Sequence, residues 1–271
     1  KEDFSNDVLT NDIEGIIIKH IKASTSHDVG AREVASFKHS LGFMDRVLQD
    51  REIPDDCGIS IEYNIPQTAK RVDFIISGSD GSRENVIIIE LKQWSEASLT
   101  DKDGMVETRL NGRLVHKTHP SYQAWSYAAI LEAFNAAIEE ESINLQPCAY
   151  LHNYPPDDVL TSEFYSYYVE KAPVFLKPDA VKLRTFIKQF MKYGDKKDII
   201  LRIENGKIRP SKSLADSLRS LIKGNKEFIM IDDQKEVYEE ALYLAKHSHE
   251  RNKNVLIVQG GPGTGKSVVD I

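Results

Sequence analysis

Cysteine is scarce in this chain, and long apolar runs are missing from it. Cys57 and Cys148 form no CxxC pair and have no histidine at the spacing of zinc ligands, so neither a disulfide framework nor a zinc site is predicted. No apolar run approaches the roughly 20 residues that cross a bilayer, and the opening KEDFSNDVLTND lacks the basic and apolar regions of a secretory signal. We therefore expect a cytoplasmic protein without a membrane partner.

The charge is acidic overall but unevenly distributed. The net charge is −7, yet residues 182–226 hold 13 Lys and Arg against four acidic residues, a net of +9. Such asymmetry is typical of polyanion binding, although the solvated faces of surface helices would give the same pattern. The remaining composition, 41% hydrophobic and 28% charged, is that of a globular protein with one large domain or two smaller ones.

Hydrophobic periodicity predicts the order of the helices and strands. Apolar residues at three- and four-residue steps predict a helix over residues 31–49, after an apolar helix that begins near residue 12. Alternating and β-branched segments predict three strands, at 59–63, 71–76 and 85–92, joined by short turns into an antiparallel meander. The remaining predicted elements are a hairpin around Asn111-Gly112, helices at 121–139, 179–193, 213–223 and 233–248, and strands at 145–152 and 254–258.

Two of these strands carry charged side chains in an apolar context. Glu90 and Lys92 are two residues apart, so their side chains share one face of a strand, and Asp73 lies on the preceding strand. Two adjacent carboxylates repel unless a cation lies between them, and their hard oxygens suit Mg²⁺ or Mn²⁺. We expect Asp73, Glu90 and the carbonyl of Leu91 to bind the metal, and Lys92 to stabilise charge on a scissile phosphate. An edge strand with an ordinary surface ion pair is the alternative.

The predicted helix after His119 and Pro120 carries two polar residues on its inward face. Gln123 and Tyr127 are one turn apart, and apolar residues continue their face, so both side chains should point toward the sheet. Half-buried polar residues at a helix start would give the same pattern. His116 and His119 flank this region and would reach phosphate if they lie at the site, although exposed loop histidines are more common.

Together these motifs resemble the PD-(D/E)xK nuclease superfamily. Asp73, the Glu90-Leu91-Lys92 tripeptide and the Gln123-xxx-Tyr127 element match it, and the last is similar to its RecB-like branch. The resemblance covers roughly residues 10–155. It implies a restriction-endonuclease-like α/β fold, a mixed sheet flanked by helices in the order α-β-β-β-α-β. It also implies a metal ligand from the first core helix, for which Glu33 is the residue at the matching position. No proline directly precedes Asp73, where Arg71-Val72 stands instead.

A phosphate-binding motif lies near the end of the chain. GGPGTGKS follows a predicted strand and satisfies the P-loop pattern GxxxxGK[ST], in which glycine N–H groups wrap a phosphate, Lys reaches it and Ser binds Mg²⁺. The upstream run before residue 234 resembles the adenine-reading element of superfamily 1 helicases. Because a RecA-like core needs several more strands, we expect this chain alone neither to hydrolyse ATP nor to bind it tightly. The predicted nucleotide-binding residues are Gln234, Gly260, Gly263, Gly265, Lys266 and Ser267.

The motifs divide the chain into three predicted parts: a nuclease-like domain over residues 1–204, a basic linker over 205–231, and the first fragment of a P-loop helicase domain over 232–271. The whole resembles a nuclease joined to a helicase of the Schlafen type. This resemblance implies metal-dependent cleavage of nucleic acid, DNA more readily than RNA, with an ATP-driven motor that moves the substrate. Two alternatives remain: an inactive nuclease fold that binds nucleic acid for the motor, and an ATPase switch whose carboxylates are structural.

Overall fold

The computed structural model describes residues 1–10, 12–24, 31–66, 68, 70–210, 229–248 and 253–260, with the backbone alone for residues 20–24 and 31–37. In this part the chain is a mixed α/β protein with a five-stranded sheet flanked by helices and a smaller three-stranded sheet. The strands are β1 (Gly58–Asn64), β2 (Arg71–Ser79), β3 (Glu84–Lys92), β4 (Ala97–Leu99), β5 (Met105–Leu110), β6 (Arg113–Thr118), β7 (Asn144–Leu151) and β8 (Val174–Leu176). The α-helices are α1 (Glu2–Leu9), α2 (Ile13–Ser24), α3 (Ala31–Leu48), α4 (Pro120–Phe134), α5 (Ala136–Glu140), α6 (Ser166–Lys171), α7 (Ala180–Phe190), α8 (Ile199–Glu204) and α9 (Asp232–His247). Short 3₁₀ turns at Glu163–Tyr165 and Lys177–Asp179 precede α6 and α7.

The main sheet combines an antiparallel half with a parallel half. Strands β1, β2 and β3 pair antiparallel in chain order, as the predicted meander requires, and β7 and β8 extend the sheet in parallel. The turn between β2 and β3 is tight: Gly81 has a φ of +96°, and the Asp80 carboxylate accepts the N–H groups of Ser82 and Arg83. The predicted order of helix, three strands, helix and strand is present, with the antiparallel β4–β6 sheet between β3 and α4.

The two faces of the main sheet bury different sets of helices. Ile87 and Ile89 pack with α1, α2, α3 and α7. Val86 and Ile88 pack on the other face, with α4, α5 and α8. Because side chains alternate along a strand, Glu90 points to the same face as Ile88, the face that α4 covers.

The predicted helix over residues 121–139 is wrong at Asn135. That residue is extended (φ −98°, ψ 112°) and separates α4 from α5. Its side-chain oxygen accepts the N–H of Ala137, and its amide group donates to the carbonyl of Ile203. Asn135 therefore caps α5, a role that short polar side chains fill at helix starts.

The predicted strand over residues 254–258 is also wrong. Residues 253–260 have no regular structure, and Val255 and Ile257 are 84% and 76% exposed. A strand of this apolar type forms when neighbouring strands bury it, and none of the described strands pairs with it. The predicted helix over residues 213–223 lies outside the described residues. Among the helices described, none is long and apolar enough to cross a membrane.

The described basic residues between 182 and 210 are largely engaged with acidic partners. Lys188 lies 2.9 Å from Glu52, and Arg202 and Lys197 both pair with Glu84. Helix α7 also packs on the sheet face opposite Glu90, in the core that contains Ile87 and Ile89. For these residues the placement fits solvated helix faces, and polyanion binding by the whole segment stays a prediction, because residues 211–226 of it lie outside the described residues.

Candidate active site

The register of the sheet brings the predicted acidic pair together. The last regular pair between β2 and β3 joins Phe74 to Ile89, so one further step along the ladder sets Asp73 opposite Glu90. Residues directly opposite in an antiparallel pair have Cβ atoms about 4.5–5.5 Å apart. The charge of Asp73 raises the pKa of Glu90, as expected for neighbouring carboxyl groups. The two acids therefore converge on one face of the sheet.

Each member of this group has a defined partner. The Asp73 Oδ2 atom accepts the backbone N–H of Leu91 at 2.7 Å. The Lys92 Nζ atom donates to Glu90 Oε1 at 2.6 Å, so the lysine lies beside the acids as predicted. The second oxygen of Glu90, Oε2, is buried and has no hydrogen-bond partner among the described residues.

The backbone next to Asp73 is locally irregular. Pairing between β1 and β2 joins Ile61 to Phe74 and Tyr63 to Val72, and it skips the position where Glu62 faces Asp73. Glu62 has a φ of +53°, in the left-handed region that non-glycine residues rarely adopt. Such backbone strain is concentrated at functional sites.

Burial makes the electrostatics of the pair unusual. Burial and then the charge of Asp73 raise the pKa of Glu90 well above its ordinary value, although Lys92 acts in the opposite direction. Burial also raises the pKa of Asp73, against the lowering effects of Lys92 and the Leu91 N–H. Burial lowers the pKa of Lys92, but the neighbouring acids, Glu90 first, outweigh this effect and the net shift is upward. Lys92 is therefore a charged group that faces two carboxyl groups, both of which resist ionisation.

Helix α4 carries Gln123 and Tyr127 to the same side of the sheet. Both side chains are buried, and the Gln123 amide donates to the Tyr127 hydroxyl at 2.9 Å. Burial raises the pKa of Tyr127, and so do the nearby charges of Glu90, Asp232 and Asp73. Tyr127 is therefore a neutral hydroxyl next to the acids, as its predicted inward orientation requires.

A third acidic residue near the pair was not predicted. Asp232 opens α9, is 7% exposed, and accepts hydrogen bonds from the Tyr127 hydroxyl at 3.2 Å and from Lys70 Nζ at 3.0 Å. Its Oδ1 atom is buried and has no partner in the described part of the chain. Nothing in the spacing links residue 232 to residue 90, because an acidic residue in a first helical turn is an ordinary feature.

Of the other two predicted metal ligands, Leu91 is fully described and Glu33 is described by its backbone alone. Glu33 lies in the first turn of α3, and its side chain is outside the described residues. Farther along α3, Ser40 accepts a hydrogen bond from Gln93, the residue after β3, while the helix packs on the sheet face opposite Glu90. Leu91 packs its side chain into the opposite core and gives its N–H to Asp73.

The predicted nucleotide-binding residues fall mostly outside the described residues, which include Gly260 but not Gly263, Gly265, Lys266 or Ser267. Gln234 is described, and its side-chain oxygen accepts the N–H of Ile231 at 3.2 Å. Gln234 thus caps the start of α9, as a Gln at the third helical position commonly does. Its predicted contact with adenine stays a prediction.

The two flanking histidines do not join the site. His119 is fully buried and caps α4: its Nδ1 accepts the Ser121 N–H, and its Nε2 donates to the Leu160 carbonyl. Burial lowers the pKa of His119 to about 4. His116 is exposed and bonds to Lys102 through Nδ1. A phosphate contact by His119 is thereby excluded, since both of its ring nitrogens are occupied.

The donor set fits a divalent cation in its chemistry. Asp73 and Glu90 are hard oxygen donors that lie side by side, and the buried Glu90 Oε2 would gain the partner it lacks. In the described part of the chain, no group of three or more His, Cys, Asp or Glu side chains is placed to hold a metal ion as it stands. A cation at the acidic pair would need water, substrate or backbone oxygens to complete its coordination.

The chain gives no match to protein-family models, to curated proteins or to solved structures. The chemistry of the site is therefore inferred from its own residues and geometry.

Proposed function

We propose that this chain is a metal-dependent phosphodiesterase that cuts nucleic acid, DNA in preference to RNA. One observation carries the proposal. Asp73 and Glu90 meet on one face of the sheet next to Lys92, and one buried carboxylate oxygen is left without a hydrogen-bond partner among the described residues. Burying such a group costs several kcal/mol unless other interactions compensate for it, and a bound cation would supply that compensation. An isolated surface ion pair would not bury a second acid beside it.

The residues of the site have distinct roles in this proposal. Asp73 and Glu90 hold the cation, which when bound polarises the scissile phosphate and makes its bound water more acidic. Lys92 keeps its proton and donates to the negative charge that develops on the phosphoryl oxygens. Tyr127 and Gln123 form a neutral hydrogen-bonded pair that closes one side of the acidic cluster and excludes water from it.

The proposed ATP-driven motor has a separate basis. It rests on the P-loop sequence from Gly260 to Ser267 and on the resemblance of the run that contains Gln234. In this proposal the motor moves nucleic acid past the site rather than taking part in the cleavage.

Cleavage assays test the proposed function directly. The chain is incubated with linear, circular and single-stranded DNA and with single-stranded RNA in Mn²⁺, with and without EDTA. We expect cleavage of DNA that EDTA abolishes and that Glu90→Gln and Lys92→Ala each reduce by about 100-fold or more, the usual loss when a charge-stabilising group is removed.

A matched control separates the site from the strand that carries it. Glu84 begins β3 and pairs with Arg202 and Lys197, far along the strand from Glu90. Glu84→Gln should cut at the wild-type rate. Cleavage that resists EDTA or survives in both site variants would remove the basis for the proposal. Salt-sensitive binding without cleavage would instead favour the inactive nucleic-acid-binding alternative.

A further inference from the structure

Helix α9 lies against β6 and α4 and is held there by ion pairs. Its acidic residues face lysines of the rest of the molecule: Glu236 lies 2.9 Å from Lys117, and Glu240 lies 2.6 Å from Lys102. At its first turn both Asp232 and Asp233 bind Lys70, at 3.0 and 2.7 Å. The helix thus presents one acidic face to a basic surface, which we define as Lys70, Lys102 and Lys117.

The packing of α9 differs from that of an ordinary core helix. Its buried residues are all charged: Asp232, Lys235 and Glu239. Lys235 bridges Glu239 of its own helix and Asp103 of the β4–β5 turn. A helix attached through charged groups gains little from apolar burial, and its attachment is weakened by competing ions.

The same surface adjoins the proposed catalytic group. Asp232 receives hydrogen bonds from Lys70 and from the Tyr127 hydroxyl, and Tyr127 lies beside Glu90 and Asp73. An anionic oxygen is therefore held by an ammonium group and a hydroxyl at the edge of the acidic pair. A phosphate of a bound strand offers the same charge and the same acceptor oxygens.

We propose that the Lys70, Lys102 and Lys117 surface binds the phosphate backbone of nucleic acid, and that α9 covers it with carboxylates in the places that phosphates would take. This inference rests on the proposed function, because it names the surface along which the substrate reaches that site. Nucleic acid then binds by displacing α9, and the acids of α9 weaken binding by competition.

Binding of a single-stranded DNA oligonucleotide in EDTA tests this inference without cleavage. The double variant Glu236→Gln/Glu240→Gln frees Lys102 and Lys117 and should bind about tenfold more tightly than wild type, since each ion pair that the DNA no longer has to break contributes up to about 1 kcal/mol. Adding Lys102→Gln and Lys117→Gln to that variant should return the affinity to the wild-type level or below it. Fluorescence anisotropy at fixed ionic strength measures both changes.

The control variant removes two acids that also pair with basic residues elsewhere. Glu52 pairs with Lys188 and Glu140 with Arg209, and both acids are exposed. Glu52→Gln/Glu140→Gln makes the same change in net charge and should bind like wild type. An equal gain in this control, or no gain in the α9 variant, would overturn the inference.

Hydrogen exchange on the unmodified chain gives a second readout. Amide protection of residues 232–247 should fall when the oligonucleotide binds, because α9 leaves its place. Unchanged or increased protection under saturating oligonucleotide would contradict displacement, and so would the absence of any oligonucleotide binding. Cleavage in Mn²⁺ with unchanged α9 protection would leave the proposed function standing and refute this inference alone.

Discussion

Replacing Glu90 with Gln should make the metal-free protein more stable. Glu90 is 2% exposed, lies against Asp73 and leaves one oxygen without a described partner. A glutamine retains an oxygen to accept from Lys92, and its amide group can donate to Asp73. The substitution therefore removes a repulsion between buried acids without removing the counter-charge of Lys92.

The size of this effect follows from the unpaired oxygen. An unsatisfied buried polar atom costs about 1–3 kcal/mol. We expect the free energy of unfolding to rise by about 1–2 kcal/mol in EDTA at pH 8, or roughly 2–6 °C in Tm for a chain of this size. In Mn²⁺ at about 100 times its Kd, wild type should gain about 2.7 kcal/mol by mass action while Glu90→Gln gains almost nothing. The order of stability of the two proteins should therefore reverse when the metal is added.

Urea unfolding with and without Mn²⁺ measures this reversal, and Glu84→Gln at the other end of β3 serves as the control. That variant loses surface ion pairs and should keep the full response to Mn²⁺. If Glu90→Gln is less stable than wild type in EDTA, the two acids are held by favourable interactions and do not destabilise the metal-free protein. If both proteins respond equally to Mn²⁺, Glu90 is not a metal ligand.

Three further predictions concern the buried residues Tyr127, His119 and Ile89. Tyr127→Phe should destabilise the chain by about 1–3 kcal/mol in urea unfolding, because the buried Gln123 amide loses its acceptor; an unchanged midpoint would show that this pair is not formed. His119 has a pKa lowered to about 4 by burial, so its contribution to stability is present above pH 6.5 and is lost as the pH falls from 6.5 toward 4. His119→Asn should remove about 3 kcal/mol of this pH-dependent loss of stability, whereas the substitution of exposed His116 by Asn should leave the loss unchanged. If the free energy of unfolding depends on pH in the same way in wild type and both variants, His119 is not a buried neutral side chain. Ile89→Ala should cost about 2–5 kcal/mol, since its side chain is fully buried against α3 and α7; a loss below 1 kcal/mol would place it outside the core.

Strand periodicity was sufficient to predict the acidic pair. The two-residue repeat of a strand places Glu90 and Lys92 on one face. The short turn makes the preceding strand antiparallel, and this arrangement brings Asp73 opposite Glu90. These features are local, because adjacent strands joined by a tight turn have little freedom in register. The same reasoning predicted that Gln123 and Tyr127 point inward.

The contribution of α9 could not be predicted in this way. Asp232 is 142 residues from Glu90 along the chain, and its position depends on ion pairs with Lys70 and on the Tyr127 hydroxyl, none of which leaves a periodic pattern. The predicted division of the chain at residues 205–231 concerns the segment that leads to α9, and residues 211–228 of it are outside the described residues. That division stays a prediction.

The failed strand at residues 254–258 has a different cause. Its β-branched composition is typical of a buried parallel strand. Such a segment becomes a strand only when neighbouring strands pair with it, and its composition does not show whether they are present. The break at Asn135 was missed for a related reason: the apolar pattern continues through it, while the capping bonds to Ala137 and Ile203 form only in the fold.

The most direct measurement is the anomalous scattering of Mn²⁺ soaked into crystals of this chain. A single strong peak within coordination distance of both the Asp73 and the Glu90 carboxylates is the predicted result, with Lys92 retained beside them. A structure at saturating Mn²⁺ with no peak between these two carboxylates would contradict the assignment of this pair as a catalytic metal site.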